Sequence, residues 1–231
     1  MYDLNFVYFC IGRVTFFGHK TWMLLRRGVH DKIYLHGLRR TISNVHVTKE
    51  NGQYVWNFKG RPNSFVKITG NLALKSFTIG CFLWKERSPE TSIIWAWEGS
   101  YGAYGTHLFI NRANHVVANL FDRSHRNLWK QTRTGMPIKK WTFVGASYNH
   151  RTGNLVLWED GHTITHHVGK RRIDSTGAFY IGIFGKSPAW KNPLRGKLRG
   201  LTILDGPITQ KQVGSFKHLT LKYLKGKSSL K

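Results

Sequence analysis

Short runs of alternating apolar and polar residues are the main pattern of this chain. In the stretch 141–161, WTFVGASYNHRTGNLVLWEDG, an aromatic run and an aliphatic run are separated by Arg151-Thr152-Gly153. Alternation predicts strands, because successive side chains of a strand point to opposite faces, and a Gly-containing turn joins two strands into a hairpin. Asn51-Gly52 predicts a second hairpin, over residues 45–58.

Further segments of the chain have the same strand character. They are too short for helices and are rich in β-branched and aromatic residues. They comprise residues 64–68, 76–85, 92–97, 107–111, 115–121, 141–148, 154–158, 162–168, 178–184 and 196–204. One helix is predicted over 210–217, with Thr209 as its N-cap. The pattern predicts an all-β protein, an antiparallel β-sandwich or jelly roll with one short C-terminal helix.

The chain reads as one sandwich with extensions at both ends. We expect residues 1–40 to be an N-terminal extension or the first strands, 41–217 to be the sandwich, and 218–231 to be a frayed basic tail. The apolar N-terminal run lacks a basic start and a clear cleavage site, which indicates a strand or a degenerate targeting segment. No run approaches the roughly 20 apolar residues of a membrane-spanning helix.

Charge is the most unusual property of the composition. The chain has 36 Lys and Arg against 11 Asp and Glu, a formal net charge of +25. Such a charge predicts a polyanionic partner, namely nucleic acid, sulfated glycan, phospholipid or acidic matrix, unless it forms only a solvated basic surface. The two cysteines, Cys10 and Cys81, either form one disulfide or leave Cys81 as a buried thiol, which we favour.

The order and spacing of five stretches resemble the laminin-G-like and pentraxin-like domains of the concanavalin A-like lectin and glucanase superfamily. They are the 141–161 hairpin, the 64–68 and 74–79 pair, Ala178-Phe179-Tyr180-Ile181-Gly182, the 194–204 strand and the short helix after it. The resemblance covers about residues 40–215 and implies a lectin-like jelly roll with the hairpin in a central sheet. The expected packing residues of that hairpin are Trp141, Phe143, Tyr148, Leu155, Leu157 and Trp158.

The chemistry of that superfamily is only partly matched. The glucanases use a closely spaced acidic run, Glu-x-Asp-x-(x)-Glu, which this chain lacks. The stretch matching the pentraxin calcium loop, 185–192, has two lysines and no carboxylate, so calcium binding is not expected. Pentraxins pair a cysteine near the position of Cys81 with a second cysteine on a later strand, and this chain has Val144 and Gly145 at the place of that second cysteine. With no nucleophile elbow or phosphate-binding loop either, we expect no enzyme and no cofactor.

Three histidines lie close enough in sequence to be considered as metal ligands. His162 and His166 alternate on one strand and share a face, and His167 is adjacent. Because a metal site needs three or four ligands and no further ligand is recognisable nearby, we expect exposed surface histidines.

Basic and aromatic loop residues are the best candidates for ligand binding. Sugars stack on aromatic rings, and sulfates or phosphates accept bidentate hydrogen bonds from arginine. The candidates are Lys170, Arg171, Arg172, Trp190, Lys191, Arg195, Lys197, Arg199, Trp97, Tyr101 and Tyr104. The basic clusters either join into one anionic-ligand surface or lie on different sides of the sandwich, and the aromatic loop either binds sugar or packs over the core rim.

These observations predict a non-enzymatic, calcium-independent lectin that recognises acidic or sulfated, heparin-like carbohydrate or extracellular matrix. An extracellular location, with a matrix or cell-surface protein as a further partner, follows from the family resemblance. The alternative is an interaction or structural protein that binds nucleic acid or a membrane surface through charge alone. A degenerate enzyme is a third class.

Overall fold

A computed structural model gives the structure of residues 15–16, 19–23, 39–69, 74–86, 91–97, 105–122, 127–171, 173, 178–184 and 192–225. These residues form the strands β1 Thr15–Phe16, β2 His19–Met23, β3 Arg39–Ser43, β4 Val45–Glu50, β5 Gln53–Lys59, β6 Phe65–Thr69, β7 Phe77–Lys85, β8 Thr91–Trp97, β9 Gly105–Ile110, β10 Val116–Phe121, β11 Asn127–Gln131, β12 Trp141–Asn149, β13 Asn154–Glu159, β14 His162–His167, β15 Ala178–Ile181 and β16 Arg195–Leu204. A 3₁₀ turn, Gln210–Gln212, leads into one helix, α1 Val213–Leu224. Within these residues no helix is long and apolar enough to cross a membrane.

The strands form two antiparallel sheets that face each other across the core. The first sheet has the order β1-β2-β16-β7-β12-β13-β14, with β5 also pairing with β16 and β4 with β5. The second sheet has the order β11-β10-β9-β8-β15-β6-β3. Alternate side chains of both sheets meet in one apolar core that includes Trp56, Phe77 and Leu108. The predicted antiparallel β-sandwich is therefore confirmed.

The hairpin of β12 and β13 lies inside the first sheet and is buried on both faces. Tyr148, Leu155 and Leu157 point into the core between the sheets. Phe143 and Trp158 point outward and are buried because helix α1 covers that side of the sheet. The expectation that these five residues pack the interior is confirmed.

Helix α1 is longer than predicted. The 3₁₀ turn before it starts after Thr209, whose backbone N–H donates to the Gln212 Oε1 at 2.7 Å. The α-helix itself begins at Val213 and not at residue 210 as predicted. The predicted end at Lys217 is wrong, because the helix continues to Leu224 and residues 218–224 are not a frayed tail. The reason is burial, because Phe216, Thr220 and Leu224 all pack against the outer face of the first sheet.

Most strands agree with the sequence analysis, and two, β3 and β11, were missed. The hairpin around Asn51 and Gly52 is present, and both residues adopt positive φ angles of 50° and 78°. Strand β11, NLWKQ, was not predicted, because its polar sequence has no strong apolar alternation. It pairs with β10 at the edge of the second sheet, where a strand needs fewer apolar side chains.

Cys81 is a buried free thiol on β7. Burial raises the pKa of this thiol above its ordinary value. Its register partner on β12 is Val144, the position at which the family resemblance places a second cysteine. Cys10 lies outside the described residues.

Candidate anionic-ligand face

A row of cross-strand neighbours lies on the outer face of the first sheet, next to helix α1. Lys197 on β16 pairs with Asn57 on β5 and with Trp84 on β7. Trp84 in turn pairs with Trp141 on β12. Both tryptophans are half-buried, so part of each indole remains accessible.

Strand alternation places three predicted ligand residues on this same face. Leu198 is completely buried in the core between the sheets. Its neighbours Lys197 and Arg199 therefore point outward, and so does Arg195 two residues before Lys197. We use the name basic face for this surface, which comprises Lys59, Trp84, Lys139, Lys140, Trp141, Arg195, Lys197 and Arg199.

The two central cations of the basic face are held on the two indoles. The Lys197 Nζ lies 5.4 Å from the Trp84 ring centre and 2.7 Å from the Glu50 Oε1. The Arg199 guanidinium carbon lies 4.2 Å from the Trp141 ring centre. Cation–π contacts of this kind attract a cation to the ring face and limit the positions its side chain takes. The result is a pair of oriented cations on a strand that is paired on both sides.

Arg199 has unused hydrogen-bonding capacity. Its Nε is buried and has no hydrogen-bond partner among the described residues. Desolvation lowers the pKa of Arg199, and the nearby Glu50 carboxylate acts in the opposite direction. A guanidinium stays charged in proteins, so this residue is a partly desolvated cation whose interaction with an anion is little weakened by water.

Two lysines extend the basic face at the start of β12. Lys139 adopts a positive φ of 56°, and its backbone N–H donates to the Lys85 carbonyl at 2.7 Å. This turn places Lys139 and Lys140 directly before Trp141, with both lysine side chains exposed.

The acids of the basic face do not neutralise it. Glu50 pairs with Lys197, and the Glu86 Oε2 lies 2.6 Å from the Arg195 Nε. Lys59, opposite Arg195 in the register, is exposed. With six cations and two carboxylates, the face keeps a surplus of positive charge.

The cluster around Lys170 lies elsewhere. The Arg171 backbone N–H donates to the Tyr148 hydroxyl at 2.7 Å, and Tyr148 is seven positions along β12 from Trp141, roughly 23 Å at strand spacing. The Arg171 Nη1 forms a 3.0 Å ion pair with the Asp122 Oδ2, and both side chains are largely buried. Arg171 and the Arg195–Arg199 segment therefore lie at different ends of the first sheet, and Arg171 is neutralised by Asp122. Lys170 is exposed, whereas Arg172 and Lys191 lie outside the described residues.

Several predicted site residues lie outside the described residues. They are Arg172, Trp190, Lys191, Tyr101 and Tyr104, so the aromatic loop and most of the 185–192 stretch stay predictions. Trp97 ends strand β8, where its backbone pairs with Gly105 and Ala178.

The strand β14 histidines contact protein oxygen atoms. The His166 Nε2 lies 3.2 Å from the Gln131 carbonyl, and the His167 Nδ1 lies 3.1 Å from the Asn154 Oδ1. In the part of the chain that the structure describes, no three His, Cys, Asp or Glu side chains converge on a possible metal position.

Sequence reasoning missed the indoles of the basic face. Trp141 was expected only to pack, and Trp84 was not singled out. The one local signal is the sequence Lys139-Lys140-Trp141, which joins two cations to an aromatic residue. The neighbouring Trp84 is brought in by the pairing of β7 with β12 and β16.

Comparison with known proteins shows the fold of this chain. No protein-family description matches the sequence, and no characterised protein is similar in sequence. The structure is similar to the binding domain of botulinum neurotoxin serotype G, with a TM-score of 0.65 and 12% identity, over 80% of this chain and 47% of that one. A structure of botulinum neurotoxin type C gives a TM-score of 0.58 and 14% identity, over 79% of this chain and 46% of that one. The binding domain of botulinum neurotoxin DC in complex with SialylT gives a TM-score of 0.57 and 17% identity, over 79% of this chain and 46% of that one.

The chain thus spans about half the length of these solved structures. At such low identity the likeness concerns the jelly-roll fold, which this chain shares with the clostridial neurotoxin binding domains.

Proposed function

We propose that this chain is a non-enzymatic carbohydrate-binding module that recognises acidic or sulfated glycans through the basic face, without calcium. The observation that carries the proposal is the seating of Lys197 and Arg199 on the Trp84 and Trp141 indoles, with exposed lysines beside them. The laminin-G-like assignment and an extracellular location belong to the same proposal.

Anion binding would follow from the geometry of the basic face. Arginine donates bidentate hydrogen bonds to a sulfate or carboxylate, and Lys139, Lys140 and Lys197 supply point charges around it. Because the indoles already restrict Lys197 and Arg199, less side-chain freedom is lost when a ligand binds. The accessible indole edges offer apolar contact to the C–H groups of a sugar ring.

The structural neighbours support the choice of carbohydrate over other polyanions. Cell entry of botulinum neurotoxin type C depends on interaction with two ganglioside molecules. The binding domain of botulinum neurotoxin DC is in complex with SialylT. The preference for an anionic glycan rests on the charge of this chain and of the basic face.

A charge-reversal experiment tests the location of the site. Lys139→Glu/Lys140→Glu changes two exposed residues of the basic face, and Arg151→Glu/Lys170→Glu makes the same charge change at exposed positions far from it. We expect the first variant to bind a heparin hexasaccharide at least about tenfold more weakly by calorimetry, and the control to lose less than about threefold. Equal losses would leave only diffuse electrostatics and reject the proposed site.

Competition tests the class of ligand. Duplex DNA that displaces the hexasaccharide equally well at matched charge, with the same dependence on Lys139 and Lys140, would replace the carbohydrate proposal by general polyanion binding. Binding that disappears in the presence of a chelator would contradict calcium independence.

A further inference from the structure

A groove of about 630 Å³ lies at the edge of the first sheet, beside strand β14. Its lining carries mostly hydroxyl and amide groups, supplied by Thr132, Thr134, Thr163, Thr165 and Gln210, and it also includes His162 and Arg133. The volume lies within the range of about 300–1,000 Å³ that is usual for small-molecule sites.

Three tertiary elements build this groove. Strand β14 is the last strand of the first sheet in the described part of the chain, so one edge of its backbone has no neighbouring strand there. The segment after β11 forms one wall and contributes Thr132, whose hydroxyl donates to the buried Glu159 carboxylate at 3.3 Å. The turn before α1 forms the other wall, where the Thr165 hydroxyl donates to the Gln210 Oε1 at 3.2 Å.

Several polar groups of the groove are not used by the protein itself. Among the described residues, no hydrogen-bond partner is present for the hydroxyls of Thr134 and Thr163 or for the Gln210 amide nitrogen. A threonine hydroxyl both donates and accepts, and an amide nitrogen donates. The groove therefore offers mixed donors and acceptors within a short distance.

The chemistry of the lining favours a sugar over a peptide. A peptide added along a strand edge gains specificity from pockets for its alternate side chains. Here Ile164 is the apolar lining residue, and its side chain packs against the core. A neutral oligosaccharide instead presents hydroxyls that match threonine hydroxyls, an amide and an exposed strand edge.

We propose that the groove between β14, residues 132–134 and Gln210 is a binding site for a short neutral oligosaccharide. It is a second site, independent of the charge-dependent binding proposed for the basic face. Binding here should depend on hydroxyl and amide contacts and should change little with salt concentration, because uncharged hydrogen bonds are not screened by ions.

The structure provides a blocking variant and a matched control. Gly161 lines the groove, its φ is not in the positive region, and a Cβ added there meets no atom within 4 Å. Gly161→Trp therefore fills the groove without strain in the backbone. Thr152→Trp adds an indole at an exposed position of the β12–β13 turn, at the opposite end of β13. Thr163→Val removes one hydroxyl and keeps the shape of the side chain.

Methyl NMR of the threonine-labelled full chain tests the site, with maltotriose, cellotriose and chitotriose as probes. We expect at least one trisaccharide to shift the groove threonine methyl signals saturably, equally at low and high salt. Gly161→Trp should abolish the shifts, Thr152→Trp should keep them, and Thr163→Val should weaken binding by about three- to tenfold.

Other results would overturn the proposal. They are the absence of such shifts with all three sugars, binding that survives Gly161→Trp, strong salt dependence, or the same shifts with an extended polar peptide in place of the sugars. The basic-face variant Lys139→Glu/Lys140→Glu should retain trisaccharide binding, so failure of one proposed site is distinguishable from failure of the other.

Discussion

Gly145 on β12 has no room for a side chain. It faces Gly80 on β7 in the register, and the two glycines leave space for the Trp158 indole. A Cβ at residue 145 would overlap both the Trp158 ring and the Ile79 carbonyl. The carbonyl belongs to the backbone of a neighbouring central strand, so a side-chain rotation alone cannot remove the overlap.

Gly145→Ala should therefore strongly destabilise the fold. Overpacking a core costs about 1–3 kcal/mol, and we expect the upper end, about 3 kcal/mol, because both an indole and a backbone must move. In a domain of this size each kcal/mol lowers Tm by about 2–4 °C, so Tm should fall by roughly 6–12 °C. Without the overlap the same substitution in a strand would be favourable by about 0.5–1 kcal/mol.

Urea denaturation and calorimetry measure this effect. Gly161→Ala is the matched control, because its added Cβ meets open space, and it should stay within about 0.5 kcal/mol of the natural chain. Trp158→Phe in the Gly145→Ala background should restore part of the loss by removing the ring overlap. A Gly145→Ala loss below about 1 kcal/mol, or one equal to the control, would refute the packing argument.

Three further predictions concern buried groups. Burial lowers the pKa of His107 to about 3 from its ordinary value of 6.5. At pH values between those two pKa values, the unfolded chain binds one more proton than the folded chain. The free energy of unfolding therefore falls as the pH falls, by about 1.4 kcal/mol per pH unit. His107→Phe should remove this part of the pH dependence, as measured by urea titrations. Asp122→Asn leaves the buried Arg171 without its charge partner, so it should lower the free energy of unfolding by about 3–5 kcal/mol in the same assay. A loss under about 1 kcal/mol would contradict a buried ion pair. Val144→Cys should form a disulfide with Cys81 on oxidation, because the two positions are register partners. Peptide mapping by mass spectrometry that finds free thiols at both position 81 and position 144 would contradict that register.

Local sequence signals predicted the elements well where one side of a strand is apolar. The β12–β13 hairpin and the Asn51-Gly52 turn are present as predicted, since alternation and turn chemistry depend only on nearby residues. Strands β3 and β11 and the last two turns of α1 were missed. All three are stabilised by contacts with other segments of the chain, namely β6, β10 and the outer face of the first sheet.

The sequence by itself determined an antiparallel sandwich, a helical segment starting after Thr209 and a strongly cationic chain. Only the tertiary structure decided which cations act together. Register places Lys197 and Arg199 beside Trp84 and Trp141, while Arg171 at the other end of β12 is paired with Asp122, 49 residues earlier in the chain. The physical reason is that periodicity is a property of neighbouring residues, whereas strand register and ion pairing across sheets are set by the packing of segments far apart in sequence.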